Sequence, residues 1–184
     1  MFGPAWSRTK EKRLSEAMVF SFAKQMTDAI VCLKNGGHQT QALILTYVGI
    51  DQMAWLSIPG DKSTGRDFKA WVDNFLLSKI TIQCTSNELW GARNGLLHMG
   101  TAEADAHKDP SIRKIYYTFG NVECTRNDTV DVVVLKAEDL IQGFLVAVFW
   151  FIDHLKGNPD QLAITSAKLG KTLGVRDGPI EPTA

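Results

Sequence analysis

The chain has no surplus of charge. Its 20 Lys and Arg residues stand against 20 Asp and Glu, a formal net charge of zero. A balanced chain lacks the broad positive field of a protein that wraps duplex nucleic acid, so any nucleic-acid contact has to be local. Cysteine is scarce too: Cys32, Cys84 and Cys124 stand alone, with no Cys-x-x-Cys pair. That excludes a zinc finger and a thioredoxin-type site, and an odd, sparse set suits a reducing cytosol better than a disulfide framework. Long hydrophobic runs are missing. The most apolar stretch, Phe144 to Ile152, is far short of the ~20 residues of a membrane-spanning helix, so it reads as a buried helix and no membrane association is expected. Met1 to Lys12 is polar and basic with no apolar core behind a cleavage site, so no signal peptide is expected and a cytoplasmic location is. No Gly-rich phosphate loop, GxSxG elbow, paired-carboxylate signature, internal repeat or low-complexity tract is present.

What is present is helical periodicity. With 184 residues, one domain is the default and a real core can be buried without staples. Residues 7–173 read as that domain, and the Gly/Pro-rich segment 174–184 as a loose tail. Ser7 to Leu33 reads as an amphipathic helix with an apolar stripe of Leu14, Met18, Phe22, Met26 and Ile30, ended by Gly36-Gly37. A second helix, Gln39 to Ile58, is apolar nearly all round, which predicts a central place in the bundle. Asp51 sits inside this run. Either it is satisfied structurally by one buried donor, or it orients a functional Arg on a neighbouring helix. Thr64-x-x-Asp67 and Thr85-x-x-Glu88 resemble capping boxes and open a third helix to about Lys79 and a fourth to His98.

Thr101 to Pro110 is small, polar and acidic, and reads as a loop. Ile112 to Phe119 and Thr129 to Leu135 are β-rich, and the Gly120 to Asp128 segment between them has hairpin chemistry. These are expected to pair as a small antiparallel hairpin. Glu138 to Lys156 and about Asp160 to Leu173 complete the helices. The expected fold is mainly α: a four-to-five-helix bundle with a small β-hairpin inserted before the last long helix.

The functional expectation rests on Trp90-Gly91-Ala92-Arg93-Asn94-Gly95-Leu96-Leu97-His98. On an ideal helix Arg93 and His98 lie roughly 140° apart around the axis and ~7.5 Å along it. They converge only because Arg is long, His98 is at the helix end and Gly95 permits deformation. A side chain that keeps its positive charge and one that titrates near neutrality make a coherent pair for phosphate chemistry. His at a helix C-terminus is also favoured by the dipole alone, and Arg93 has structural partners within reach in Asp51 and Glu88.

Arg93-Asn94-x-x-x-His98 resembles the Arg-polar-x-x-x-His signature of the HEPN superfamily, helical-bundle domains many of which are metal-independent RNases of toxin–antitoxin, phage-defence and RNA-processing systems. The flanking Trp90-Gly91-Ala92 and Arg113-Lys114-Ile115-Tyr116-Tyr117 are similar to uncharacterised bacterial HEPN-like proteins, and the likeness spans about residues 10–156. The resemblance implies an endoribonuclease needing no metal or other cofactor, which drives a ribose 2′-OH onto the adjacent phosphate and leaves a 2′,3′-cyclic phosphate. It implies a homodimer pairing two motif copies, RNA or a nucleotide as ligand, and an antitoxin as partner where the protein is a toxin. It assigns His98 as general acid/base, Arg93 as stabiliser of the phosphorane, and Asn94 as a positioning group. Many HEPN domains are not catalytic, so the alternative is a nucleotide- or partner-binding module, and a third is a structural helical protein.

Lys108, Arg113 and Lys114 lie just past the motif and are candidates for backbone phosphate contacts, although a short basic run is also an ordinary solvated surface. His98, Asp105, His107 and Asp109 match no known metal-ligand spacing, so no metal is expected. Four of the five Trp residues fall on helices at core spacing, which favours packing over base stacking.

Overall fold

In the computed structural model, residues 4–100, 104–120 and 131–170 are described. Helix α1 spans Pro4–Asn35 and α2 spans Gln39–Leu56. Helix α3, Gly65–Trp71, runs on into a π turn at Val72–Leu77. Helix α4 is Ser86–Met99, followed by a single 3₁₀ turn at Asp105–Lys108. Strand β1 (Lys114–Thr118) pairs with β2 (Val132–Lys136), and α5 (Ala137–Gly157) and α6 (Pro159–Leu169) follow. The chain is mainly helical, as its periodicity predicts. Cys124, the expected hairpin turn beyond Gly120 and the tail 174–184 lie outside the described residues.

The second helix is central for the reason its composition gives. It packs against α1, α3, α4, α5 and α6, and Tyr47, Ile50, Met53, Ala54 and Leu56 are fully enclosed. Full burial of one such large apolar side chain stabilises the fold by about 1.5–3 kcal/mol. Helix α5 presents Leu140, Phe144, Ala147, Phe151 and Leu155, all buried, at spacings of three or four residues that keep one face inward. Phe144 reaches α2 only because residue 49 is Gly. A Cβ there would stand 2.5 Å from the Phe144 ring. By length and composition α5 is apolar enough to cross a membrane, with 44% of its apolar window buried in the fold.

The end of α2 is satisfied by α6. The last carbonyls of a helix have no partner within it. Here Lys168 Nζ donates to Trp55 O at 2.5 Å, Thr165 Oγ1 to Leu56 O at 3.0 Å and Gln161 Nε2 to Ser57 O at 2.8 Å. Lys168 is thus a buried cation with a structural task at the negative end of a helix dipole, and its ammonium also lies 4.7 Å over the Trp55 ring.

Two expectations are corrected. The strand pair is parallel, with Lys114 opposite Val132 and Thr118 opposite Lys136, and is not a hairpin. A tight turn joins antiparallel strands, whereas a parallel pair needs a crossover of about a dozen residues or more. Residues 119–131, thirteen of them, supply that length. The second correction concerns the stripe on α1. Ile30 is buried and Phe22 and Met26 pack against the core as expected, but Leu14 is 56% exposed and Met18 43%, and Val19 and Ala23 are buried in their place. A strict four-residue step gains about 40° per step on a helix of 3.6 residues per turn, so a stripe drawn that way rotates off the core.

Candidate functional site

The motif helix is fixed at its start by the predicted capping box. Thr85 Oγ1 accepts the Glu88 backbone N–H at 3.2 Å, and Glu88 Oε2 accepts the Thr85 N–H at 2.7 Å. Glu88 is 2% exposed and a second group holds it: Arg113 Nε donates to Glu88 Oε1 at 2.5 Å. One carboxylate therefore caps α4 and ties it to the segment leading into β1. The predicted box at Thr64 also forms, with the Thr64 N–H donating to Asp67 Oδ2 at 2.8 Å.

Two turns further on, Arg93 crosses to α2. Its Nε and Nη2 both reach Asp51 Oδ2, at 2.8 and 2.7 Å. Its Nη1 donates to Asn94 Oδ1 at 2.9 Å and meets His98 Nε2 at 3.0 Å. The structure thus brings together the three motif residues and the half-buried acid of the apolar second helix. The five-residue gap is closed by the length of the Arg side chain. His98 is exposed on the last turn of α4, which Gly100 stops in the left-handed conformation at φ 64°.

The Arg93–His98 contact depends on the His98 tautomer. A guanidinium has only donors, so the contact is a hydrogen bond only when His98 Nε2 accepts. His98 is then a neutral imidazole with its proton on Nδ1, and the nitrogen facing Arg93 is a base. Burial pushes the Asp51 carboxyl above its usual value, against the opposing pull of the Arg93 hydrogen bonds and charge and, when His98 is protonated, of the imidazolium charge. Arg93 and Asp51 keep 20% and 27% of their side-chain surface exposed, so an approaching anion can reach the pair.

Trp90 joins this site although the sequence reading assigned it to packing. Its ring lies 5.2 Å from the Arg93 guanidinium carbon. The signal was available, since residues three apart on a helix share a face. Trp90 is seated against α3 at Gly65, where a Cβ would stand 2.8 Å from the indole. One turn before Asp51, Tyr47 shares a hydroxyl–hydroxyl hydrogen bond with Tyr117 of β1. Burial raises both phenols, and it pushes the nearby Cys84 thiol up to about 12. This apolar backing ties α2 to the strand pair behind the charged groups.

The three basic candidates have defined places. Lys108 pairs with Asp105 at 2.7 Å on the exposed 3₁₀ turn. Arg113 engages Glu88 as above. Lys114 begins β1, its backbone N–H donating to Asp131 O at 2.9 Å. His107 Nδ1 accepts the Ala104 N–H at 3.0 Å. Among the described residues, no three His, Cys, Asp or Glu side chains gather where they could hold a metal ion. Compared with known proteins, the chain matches no family model, no curated protein and no solved structure.

Proposed function

We propose that this chain is a metal-independent endoribonuclease of the HEPN type, cytoplasmic and homodimeric, in which Arg93 and His98 act on an RNA phosphodiester at the dimer interface. The observation that carries the reading is the 3.0 Å approach of Arg93 Nη1 to His98 Nε2: a permanent cation and a neutral imidazole base meet at an exposed helix end. In the reaction, His98 Nε2 accepts the proton of a ribose 2′-OH, and the 2′-oxygen bonds to phosphorus. The bond from phosphorus to the 5′-oxygen breaks, and His98 of a second copy, which enters the reaction as imidazolium and free of its Arg93 contact, gives its proton to the leaving oxygen. Arg93 exchanges its contact with His98 for the phosphoryl oxygens and balances their added charge. Asp51 and Asn94 hold the guanidinium in register, and Trp90 supports its face. A toxin or defence effector is the role this activity fits, with an antitoxin as its partner.

The test is RNA cleavage in EDTA at neutral pH, comparing wild type with His98→Ala and Arg93→Ala. Cleavage by wild type alone supports the reading. Equal activity in all three, or in none across varied substrates, removes it. A binding module of the same architecture is the second reading. It is favoured by the Asp51 carboxylate, which already neutralises Arg93. It predicts RNA or nucleotide binding without turnover, little changed in His98→Ala.

A further inference from the structure

A second concavity lies away from the Arg93–His98 pair. It is an open cleft of about 720 Å³ between the π turn and α5, closed at one end by the start of α6, and its size is that of small-molecule sites. Its floor is aromatic: Trp71, Phe75 and Phe151 meet with ring centroids 5.1–6.1 Å apart. Trp150 forms a side wall and is 40% exposed. Ser57, Asp67, Asn74, Lys79, Asp153, His154 and Gln161 supply its polar groups. Lys79 Nζ lies 4.7 Å over the Trp150 ring, and Asn74, Asp153 and His154 also line the cleft.

Two features at this cleft are unfavourable for folding alone. A π turn is a rare, poorly bonded form of helix that recurs at functional sites, and here it supplies Asn74 and Phe75 to the wall. The buried Trp71 indole N–H has no hydrogen-bond partner among the described residues, a state that costs about 1–3 kcal/mol. Both occur where the aromatic floor is built.

We propose that this cleft binds a small planar aromatic anion, its ring against Phe75 and Trp150 and its acidic group at the Lys79 ammonium. Lys79 makes no salt bridge among the described residues, so its ammonium, at an aromatic face, is not held by a carboxylate. A cationic ligand is disfavoured there because that face is already occupied by an ammonium. Of the carboxylates on the lining, Asp67 is engaged by Thr64. Asp153 is left to accept from a ring N–H or amino group together with Asn74. Aryl carboxylates and nucleoside monophosphates share this chemistry.

The experiment is calorimetric titration of the full chain with indole-3-carboxylate, 4-hydroxybenzoate, AMP and UMP, each beside its neutral counterpart indole, phenol, adenosine or uridine. Saturable binding of at least one anion is expected, with its neutral counterpart about tenfold weaker or more. Lys79→Met and Trp150→Ala should each weaken that binding about tenfold, with far-ultraviolet circular dichroism unchanged in both and thermal melting unchanged in Lys79→Met, whose side chain is exposed. Binding confined to the carboxylates, or to the nucleotides, identifies the source. No binding by any anion at millimolar concentration, equal binding of the neutral compounds, or full binding by both variants overturns the proposal.

Discussion

At the residue scale the account turns on four side chains that act as one unit. Arg93 holds Asp51, Asn94 and His98 together. Replacing it leaves a half-buried carboxylate without its cation. Arg93→Ala should lose about 1–2 kcal/mol in urea unfolding, below the figure for a fully buried pair because solvent reaches both partners. Arg93→Lys should restore part of that stability but little RNA cleavage, because a single ammonium cannot hold Asp51 in a fork and also reach His98. His98→Ala should leave the melting temperature nearly unchanged, since His98 is exposed, while cutting cleavage by about 10²–10⁴. If stability and cleavage fell in parallel across these variants, a structural role alone would explain the motif.

At the element scale, helix positions were legible and strand direction was not. Both capping boxes, the central apolar helix and the Gly stops are local signals, and each element formed near its expected bounds. A strand's alternation is the same whether its neighbour runs parallel or antiparallel, so Ile115, Val133 and Leu135 are buried as a period of two requires while their pairing direction depends on the connection. The stripe of α1 failed at its first two positions, Leu14 and Met18, for a geometric reason, the mismatch between four residues and 3.6. At the site, Asp51 was legible as a charge in an apolar helix, and Arg93, Asn94 and His98 through their motif spacing at a helix end. The parts carried by distant elements were not: the Glu88–Arg113 tie and the seat of Trp90 on Gly65. Close element contacts give a direct test. A Cβ at Gly143 would stand 2.0 Å from Ile80 Cδ1, so Gly143→Ala should destabilise by about 1–3 kcal/mol. The double variant Gly143→Ala/Ile80→Ala should recover part of that, because the obstructing group is one side-chain end. Failure of the second change to recover anything would place the strain elsewhere.

At the scale of the whole molecule, the acids behind the site set an alkaline limit. Tyr47, Tyr117 and Cys84 all ionise less readily in the fold than in the unfolded chain, chiefly because they are buried. Below about pH 8 all three stay protonated in both states, so their contribution to stability is complete. Above it the unfolded chain releases their protons while the fold retains them. Stability then falls with pH, by up to about 1.4 kcal/mol per pH unit for each group. Urea unfolding should show a plateau giving way to a steep decline from pH 9 to 11, weakened in Tyr47→Phe. A flat profile would contradict the buried phenol pair. The most direct test of the central claim is the identity of the RNA ends that the wild-type protein leaves in EDTA, read by mass spectrometry. The account predicts 2′,3′-cyclic phosphate beside 5′-hydroxyl, and no cut where the scissile ribose lacks its 2′-OH. Ends bearing 3′-hydroxyl and 5′-phosphate, or cleavage at a 2′-deoxy position, would contradict it.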